Sequence, residues 1–213
     1  MKYFVTGIVL FAVFAVLVFL ITSNNSQIVA WDHSEFTAIN NPHGKILNQI
    51  MISLTKYGRE VVWIATTALL FVLGGKDGRR TSVLLVIVFI ILIPLGTVLK
   101  DAVDRPRPTS ATPDDLLVKD DGDASFPSGH AIIVSAGAFI VLARFNRGKQ
   151  AVSSLILVAE AILVIYSRIY VGNHYPLDVI GGALVGTGTG AIVVGFSKYL
   201  NPIFSRLDSI RKK

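Results

Sequence analysis

The chain contains no cysteine, which excludes disulfides, thiolate metal sites and cysteine nucleophiles. Charge is scarce too. Asp, Glu, Lys and Arg make up 16% of the 213 residues, against about 25% in soluble domains. That shortage excludes an ordinary water-soluble globule. The 52% of hydrophobic residues excludes a disordered chain, which needs few apolar residues and many charges. Fixed-period repeats and low-complexity tracts are also missing. What is left is an integral membrane protein, in keeping with a mean hydropathy of +0.62. Acids are the scarcer charge, 14 Asp+Glu against 20 Lys+Arg for a net +6. A basic balance points to anionic lipid or to nucleic acid, and position separates the two.

Six apolar stretches read as membrane spans: Tyr3–Ile21, Gly58–Leu73, Thr81–Leu99, Ser128–Phe145, Ala151–Tyr166 or slightly beyond, and Leu177–Phe196. A span takes about 20 residues, so the expected fold is all-α, one six-transmembrane-helix domain over residues 1–213. The first stretch is too long for a signal-peptide h-region and lacks a small-x-small cleavage site, so it is expected to be retained. Arg59 and Glu60 are expected at the interface, and Pro94 is expected to kink the third span. With the N-terminus inside, the cytoplasmic pieces and their flanks hold 12 of the 20 cations: Lys2, Lys76, Arg79, Arg80, Arg144, Arg147, Lys149, Lys198, Arg206, Arg211, Lys212 and Lys213. This asymmetry predicts a multi-pass plasma-membrane protein with both termini cytoplasmic. No basic stripe with interleaved aromatics exists, so no nucleic-acid partner is expected. In the first outer loop, Ile28, Trp31, Phe36 and Ile39 suit one face of a short helix on the membrane surface. Trp31, Tyr57, Trp63, Tyr170 and Tyr175 read as interfacial anchors.

Three polar clusters do not fit a bare bundle: Lys100 to Pro108, Pro127 to His130, and Ser167 to Asp178. All fall on the outer side of the six-span plan. Lys100, Arg107 and Arg168 are cations, and the two guanidinium forks suit phosphate oxygens. Ser128 is placed to cap a helix whose N-terminus is an anion site, and Gly129 lets a phosphate approach the backbone. Asp178 follows His174 by four residues, one helical turn, with Pro176 suited to the first turn. A carboxylate accepting from Nδ1–H leaves Nε2 available as a nucleophile.

These clusters resemble the three motifs of the type 2 phosphatidic acid phosphatase (PAP2) family. Lys100…Arg107–Pro108 is similar to its KX6RP motif, Pro127–Ser128–Gly129–His130 to PSGH, and Ser167–Arg168…His174…Asp178 to SRX5HX3D. Residue types, spacing and order all match. The resemblance implies a metal-independent, cofactor-free lipid phosphatase with an extracytoplasmic active site. In it His174 is the nucleophile that forms a phosphohistidine, Asp178 orients it, and His130 protonates the leaving oxygen. Lys100, Arg107, Ser128, Gly129 and Arg168 bind the phosphoryl oxygens. The implied partners are membrane lipids and a phosphorylated lipid substrate: an isoprenyl diphosphate of undecaprenyl or dolichyl type first, then phosphatidylglycerophosphate or phosphatidate. The alternatives are a lipid phosphotransferase using the same histidine and a non-catalytic lipid transporter or binding protein.

His33 and His43 have no motif partner and read as structural. Arg105 reads as solvated or paired with Asp101 or Asp104. The acids Asp114, Asp115, Asp120, Asp121 and Asp123 form a loop with Lys119 that reads as solvated. A sharper alternative makes it a lid against anionic soluble substrates. Glu160, within the fifth span, is an interior acid or part of a headgroup cavity. Gly182, Gly186 and Gly190 form a stripe for close helix approach, within the chain or between copies.

Overall fold

An apolar segment in lipid closes all its backbone hydrogen bonds internally, and a helix does this without a partner. The computed structural model describes residues 1–40, 44–108, 117–118 and 122–210, with side chains to residue 206. The order is α1 (Lys2–Thr22), α2 (Ser26–Ile39), α3 (Lys45–Tyr57), a π-helical turn (Gly58–Val62), α4 (Trp63–Leu73), α5 (Gly75–Val103), α6 (Gly129–Arg144), α7 (Gly148–Tyr170), α8 (Pro176–Phe196), a 3₁₀ turn (Ser197–Leu200) and α9 (Asn201–Ile210). All regular structure among the described residues is helical. Four helical stretches there are long and apolar enough to cross a membrane: Lys2–Thr22, Gly75–Val103, Gly148–Tyr170 and Pro176–Arg206. The apolar α6 is shorter, at 16 residues.

A helix lies on every expected stretch, with two differences. The helical path of the second begins far upstream, because α3 runs through the π turn into α4 without a loop. The polar residues of α3 hid that continuity. Pro94 lies inside α5, as expected of the third span, with helix on both sides of it. Trp63, expected as an interfacial anchor, is instead 1% exposed. Its ring fills the notch at Gly137 on α6, where an added Cβ would stand 2.2 Å from Cζ3. Tyr170 and Tyr175 are also buried, while Trp31 and Tyr57 stay exposed.

The centre of the fold is the contact between α6 and α8. A Cβ at Gly186 would stand 2.1 Å from the Ile132 carbonyl, one at Gly182 2.6 Å from the Ser128 carbonyl, and one at Gly190 3.2 Å from the Ala136 carbonyl. The glycine stripe is therefore used inside the chain. On the other face of α8, Gly188 receives Phe11 of α1. The N-terminus of α8 and that of α6 are thereby held side by side.

Candidate active site

The three polar clusters are tied together by backbone before any side chain acts. Ser125 N–H donates to the Arg105 carbonyl (2.7 Å), and Ser128 N–H to the Asp178 carbonyl (2.9 Å). The turn from α7 to α8 folds back on α7, with Asn173 N–H and His174 N–H both donating to the Arg168 carbonyl (3.1 and 3.2 Å). Gly172 makes that reversal at φ 89°, a conformation that side-chain-bearing residues resist.

All eight residues expected at the site are brought together. His174 is 1% exposed, its Nε2 lies 3.4 Å from Arg107 Nη1, and its Nδ1 is 3.6 Å from Asp178 Oδ2. The Ser125 hydroxyl sits between them, donating to Asp178 Oδ2 (2.5 Å) and 3.3 Å from Nδ1. Burial lowers the His174 imidazole to about 4 against the opposing contact with Asp178, and Arg168 and Arg107 push the same way as burial. The nucleophile candidate is therefore neutral at physiological pH. Asp178 also accepts from Tyr175 N–H (2.8 Å), which closes the first turn of α8.

Lys100 donates to Asp123 Oδ2 (2.7 Å) and the Ala124 carbonyl (2.8 Å). Arg107 donates to the Asn173 carbonyl (2.8 Å) and the Asp123 carbonyl (2.9 Å), and pairs with the Asp123 carboxylate. Asp123, expected in a solvated loop, thus bridges two of the phosphate-binding candidates. Burial would raise its carboxyl, but the Lys100 and Arg107 hydrogen bonds outweigh burial and hold it below the ordinary range. Asp114, Asp115, Lys119, Asp120, Asp121 and His43 lie outside the described residues. Ser128 is the N-cap residue of α6, but its hydroxyl makes no capping bond. That buried hydroxyl has no hydrogen-bond partner among the described residues, so its capping role is not seen, while its place beside Gly129 is as expected.

Besides Ser125, four residues escaped sequence reasoning. Arg105, expected in solvent or beside Asp101 or Asp104, is 10% exposed and joins two buried acids. Its Nη1 donates to Asp178 Oδ1 (2.6 Å) and its Nη2 to Asp32 Oδ2 (2.5 Å). Tyr175 stacks on its guanidinium at 4.5 Å. Burial would lower Arg105, yet Asp178 and Asp32 outweigh it and raise it. Asp32, fully buried on α2, also accepts from Leu177 N–H (2.8 Å). Thr55, at the end of α3, links two motifs: its hydroxyl accepts from Arg168 Nη1 (3.1 Å), and its carbonyl lies 3.2 Å from His130 Nε2. Arg59 Nη1 is 3.4 Å from His130 Nδ1. A signal for Asp32 existed: it stands four residues from both Ile28 and Phe36, an acid within the apolar face of α2.

A cavity of about 1140 Å³ opens from this cluster. Lys100, His130, His174, Arg59 and Asp123 line its polar head. Its remaining wall is largely apolar and follows α4 to Val72 and α5 to Ser82. From Lys100 to Ser82 that wall is about 27 Å long at 1.5 Å per residue.

Residues 80–202 match the PAP2 superfamily. The chain is 40% identical over 181 residues to an undecaprenyl-diphosphatase of Sulfolobus acidocaldarius, covering 84% of each chain. It is 29% identical to the undecaprenyl-diphosphatase BcrC of Bacillus subtilis, over 75% of this chain and 80% of that one. Its fold is similar to the crystal structure of a transmembrane PAP2 type phosphatidylglycerolphosphate phosphatase from Bacillus subtilis. The TM-score is 0.72 at 26% identity, covering 92% of this chain and 97% of the other.

Proposed function

The chain belongs to the PAP2 superfamily, and from that premise we propose that it removes the terminal phosphate of an isoprenyl diphosphate. It is a membrane lipid phosphatase. The observation that carries the substrate reading is the placement of Lys100, Arg59 and both histidines at the head of one long apolar groove. A lipid lying along α5 puts its charged end at Lys100, while its tail stays on apolar wall. The similarity to two undecaprenyl-diphosphatases ranks an isoprenyl diphosphate above phosphatidylglycerophosphate and phosphatidate.

In the mechanism, His174 Nε2 attacks the terminal phosphorus. An N–P bond forms as the bridging P–O bond breaks, and the leaving lipid monophosphate takes a proton from His130. Water then attacks the phosphohistidine, the N–P bond breaks, and orthophosphate leaves as His130 recovers the proton. Lys100, Arg107, Arg168, Ser128 and the Gly129 N–H hold the oxygens on which charge develops. Asp178 and Ser125 hold the imidazole at Nδ1. The topology that suits this chemistry has six spans, the second made by α3 and α4 through the π turn. Both termini are cytoplasmic, the site lies at the outer interface, and α2 lies along the outer surface.

The test is phosphate release from a panel of lipid phosphates with EDTA present, comparing wild type with His174→Ala. Isoprenyl diphosphate should be the preferred substrate, and His174→Ala should lose about 10³-fold or more. Equal activity in the two proteins, or loss of wild-type activity to EDTA, would overturn the mechanism.

A further inference from the structure

Arg59 belongs to none of the three motifs, yet its guanidinium lies beside the candidate general acid, with Nη1 3.4 Å from His130 Nδ1. We propose that Arg59 is a specificity-determining residue that holds the second, lipid-linked phosphate of a diphosphate substrate. The inference rests on the diphosphate phosphatase reading above and adds to it the group that distinguishes the two substrate types.

Geometry carries the argument. The guanidinium of Arg59 is oriented by its sequence neighbour, because Nε donates to Glu60 Oε1 at 2.6 Å and Nη2 pairs with the same oxygen. Nη1 is thereby aimed at His130, 3.4 Å from Nδ1. It also approaches the α6 N-terminus, 3.8 Å from where a Cβ of Gly129 would stand. His174, His130 and Arg59 all line the cavity, and Trp63 and Ile64, which follow Arg59 on the chain, belong to the same lining. A substrate attacked at His174 and protonated by His130 places its leaving oxygen beside His130. In a monophosphate that oxygen carries carbon. In a diphosphate it carries the second phosphorus, whose oxygens fall toward Arg59.

The proton accounting agrees. The Thr55 carbonyl can only accept, so His130 Nε2 carries hydrogen and Nδ1 accepts from Arg59. When Nδ1 holds the proton destined for the leaving group, it no longer accepts, and Nη1 needs another acceptor. The second phosphate supplies one at the moment the bridging oxygen gains charge. The π-helical turn that carries Arg59 and Glu60 sets this direction; such turns often mark functional sites.

The experiment uses purified full-length protein in detergent, with farnesyl diphosphate and farnesyl monophosphate as probes. Phosphate release is read as kcat/KM for wild type, Arg59→Gln and Arg59→Lys. The Gln variant should lose about 10- to 100-fold more on the diphosphate than on the monophosphate, the range of one charge-assisted hydrogen bond. Lys should restore part of the difference. Equal losses on both probes, or no loss on either, would overturn the role of Arg59 while leaving the phosphatase reading intact. A wild-type protein that cleaves the monophosphate but not the diphosphate would overturn the substrate reading, and the Arg59 role with it.

Discussion

The two flanks of α6 follow opposite packing rules. Toward α8, glycines let the backbones approach until no Cβ fits at Gly186 or Gly182. Toward α4 and α5, apart from Trp63 seated in the Gly137 notch, the packing leaves a cavity of about 1140 Å³. Ile64, Ile90 and Ile93 on that side are 68%, 66% and 65% exposed. The difference maps onto what each flank must do. The tight seam carries Ser128, Gly129, His130 and Asp178, whose geometry a phosphoryl transfer cannot let drift. On the proposed function, the open flank takes the long apolar part of a lipid, where shape tolerance costs little.

The largest effect is expected from breaking the seam. Gly186→Val sets a branched side chain against the Ile132 backbone carbonyl, which cannot rotate away. No monodisperse protein should be recovered from detergent. Gly190→Ala, with 3.2 Å available, should fold with a modest loss of about 1 kcal/mol. Recovery of Gly186→Val with a wild-type melting temperature would mean that the seam is not tight.

Next comes the buried charge chain that braces the end of the seam. Arg105→Leu strands the carboxylates of Asp32 and Asp178, both fully buried. Leaving a buried charge unpaired costs about 3 kcal/mol or more. On the proposed mechanism, Arg105 is a positioning residue that acts through Asp178 on His174. Adding Asp32→Asn removes one stranded charge and should recover part of the stability while kcat stays low. If the double variant is no more stable than the single one, the Arg105 effect is packing and not charge.

The motifs were legible because each lies within a short window in which spacing itself encodes chemistry, as in His174 and Asp178. The seam was half legible: every fourth residue from Gly182 to Gly190 announced close approach, but not the partner. Arg59, Thr55, Arg105 and Asp32 were hidden for a common reason. Their partners lie far along the chain, with Leu177 N–H donating to Asp32 across 145 positions. Hydropathy reads depth along a helix and not direction around it. That also explains Trp63, whose depth suggested an interface and whose direction is Gly137.

A smaller effect is expected on the open flank. Ala68 is an exposed wall residue of the groove on α4. Ala68→Trp should raise KM for a long-chain isoprenyl diphosphate about three- to tenfold, with kcat retained, because it removes binding shared by ground and transition states. A short-chain diphosphate should be affected less. Equal changes for both chain lengths would place the tail elsewhere.

The smallest expected effect separates both flanks from a polar feature that belongs to neither. Both carboxylate oxygens of Glu160 on α7 are buried with no hydrogen-bond partner among the described residues. Oε1 lies 3.0 Å from where a Cβ of Gly58 would stand, at the start of the π turn. Glu160 lines a separate cavity of about 480 Å³ with Ile50, Leu54 and Tyr57, away from the histidines. Gln keeps its shape and removes the possibility of charge, so Glu160→Gln should keep the fold and change kcat/KM by no more than about threefold, the scale of one modest neutral contact. The same variant probes the π turn from behind, since Gly58 and Arg59 are adjacent. Complete loss of activity in a normally folded protein would show that the turn depends on this carboxyl, and would extend the tightly specified region from the seam across α3 to α7.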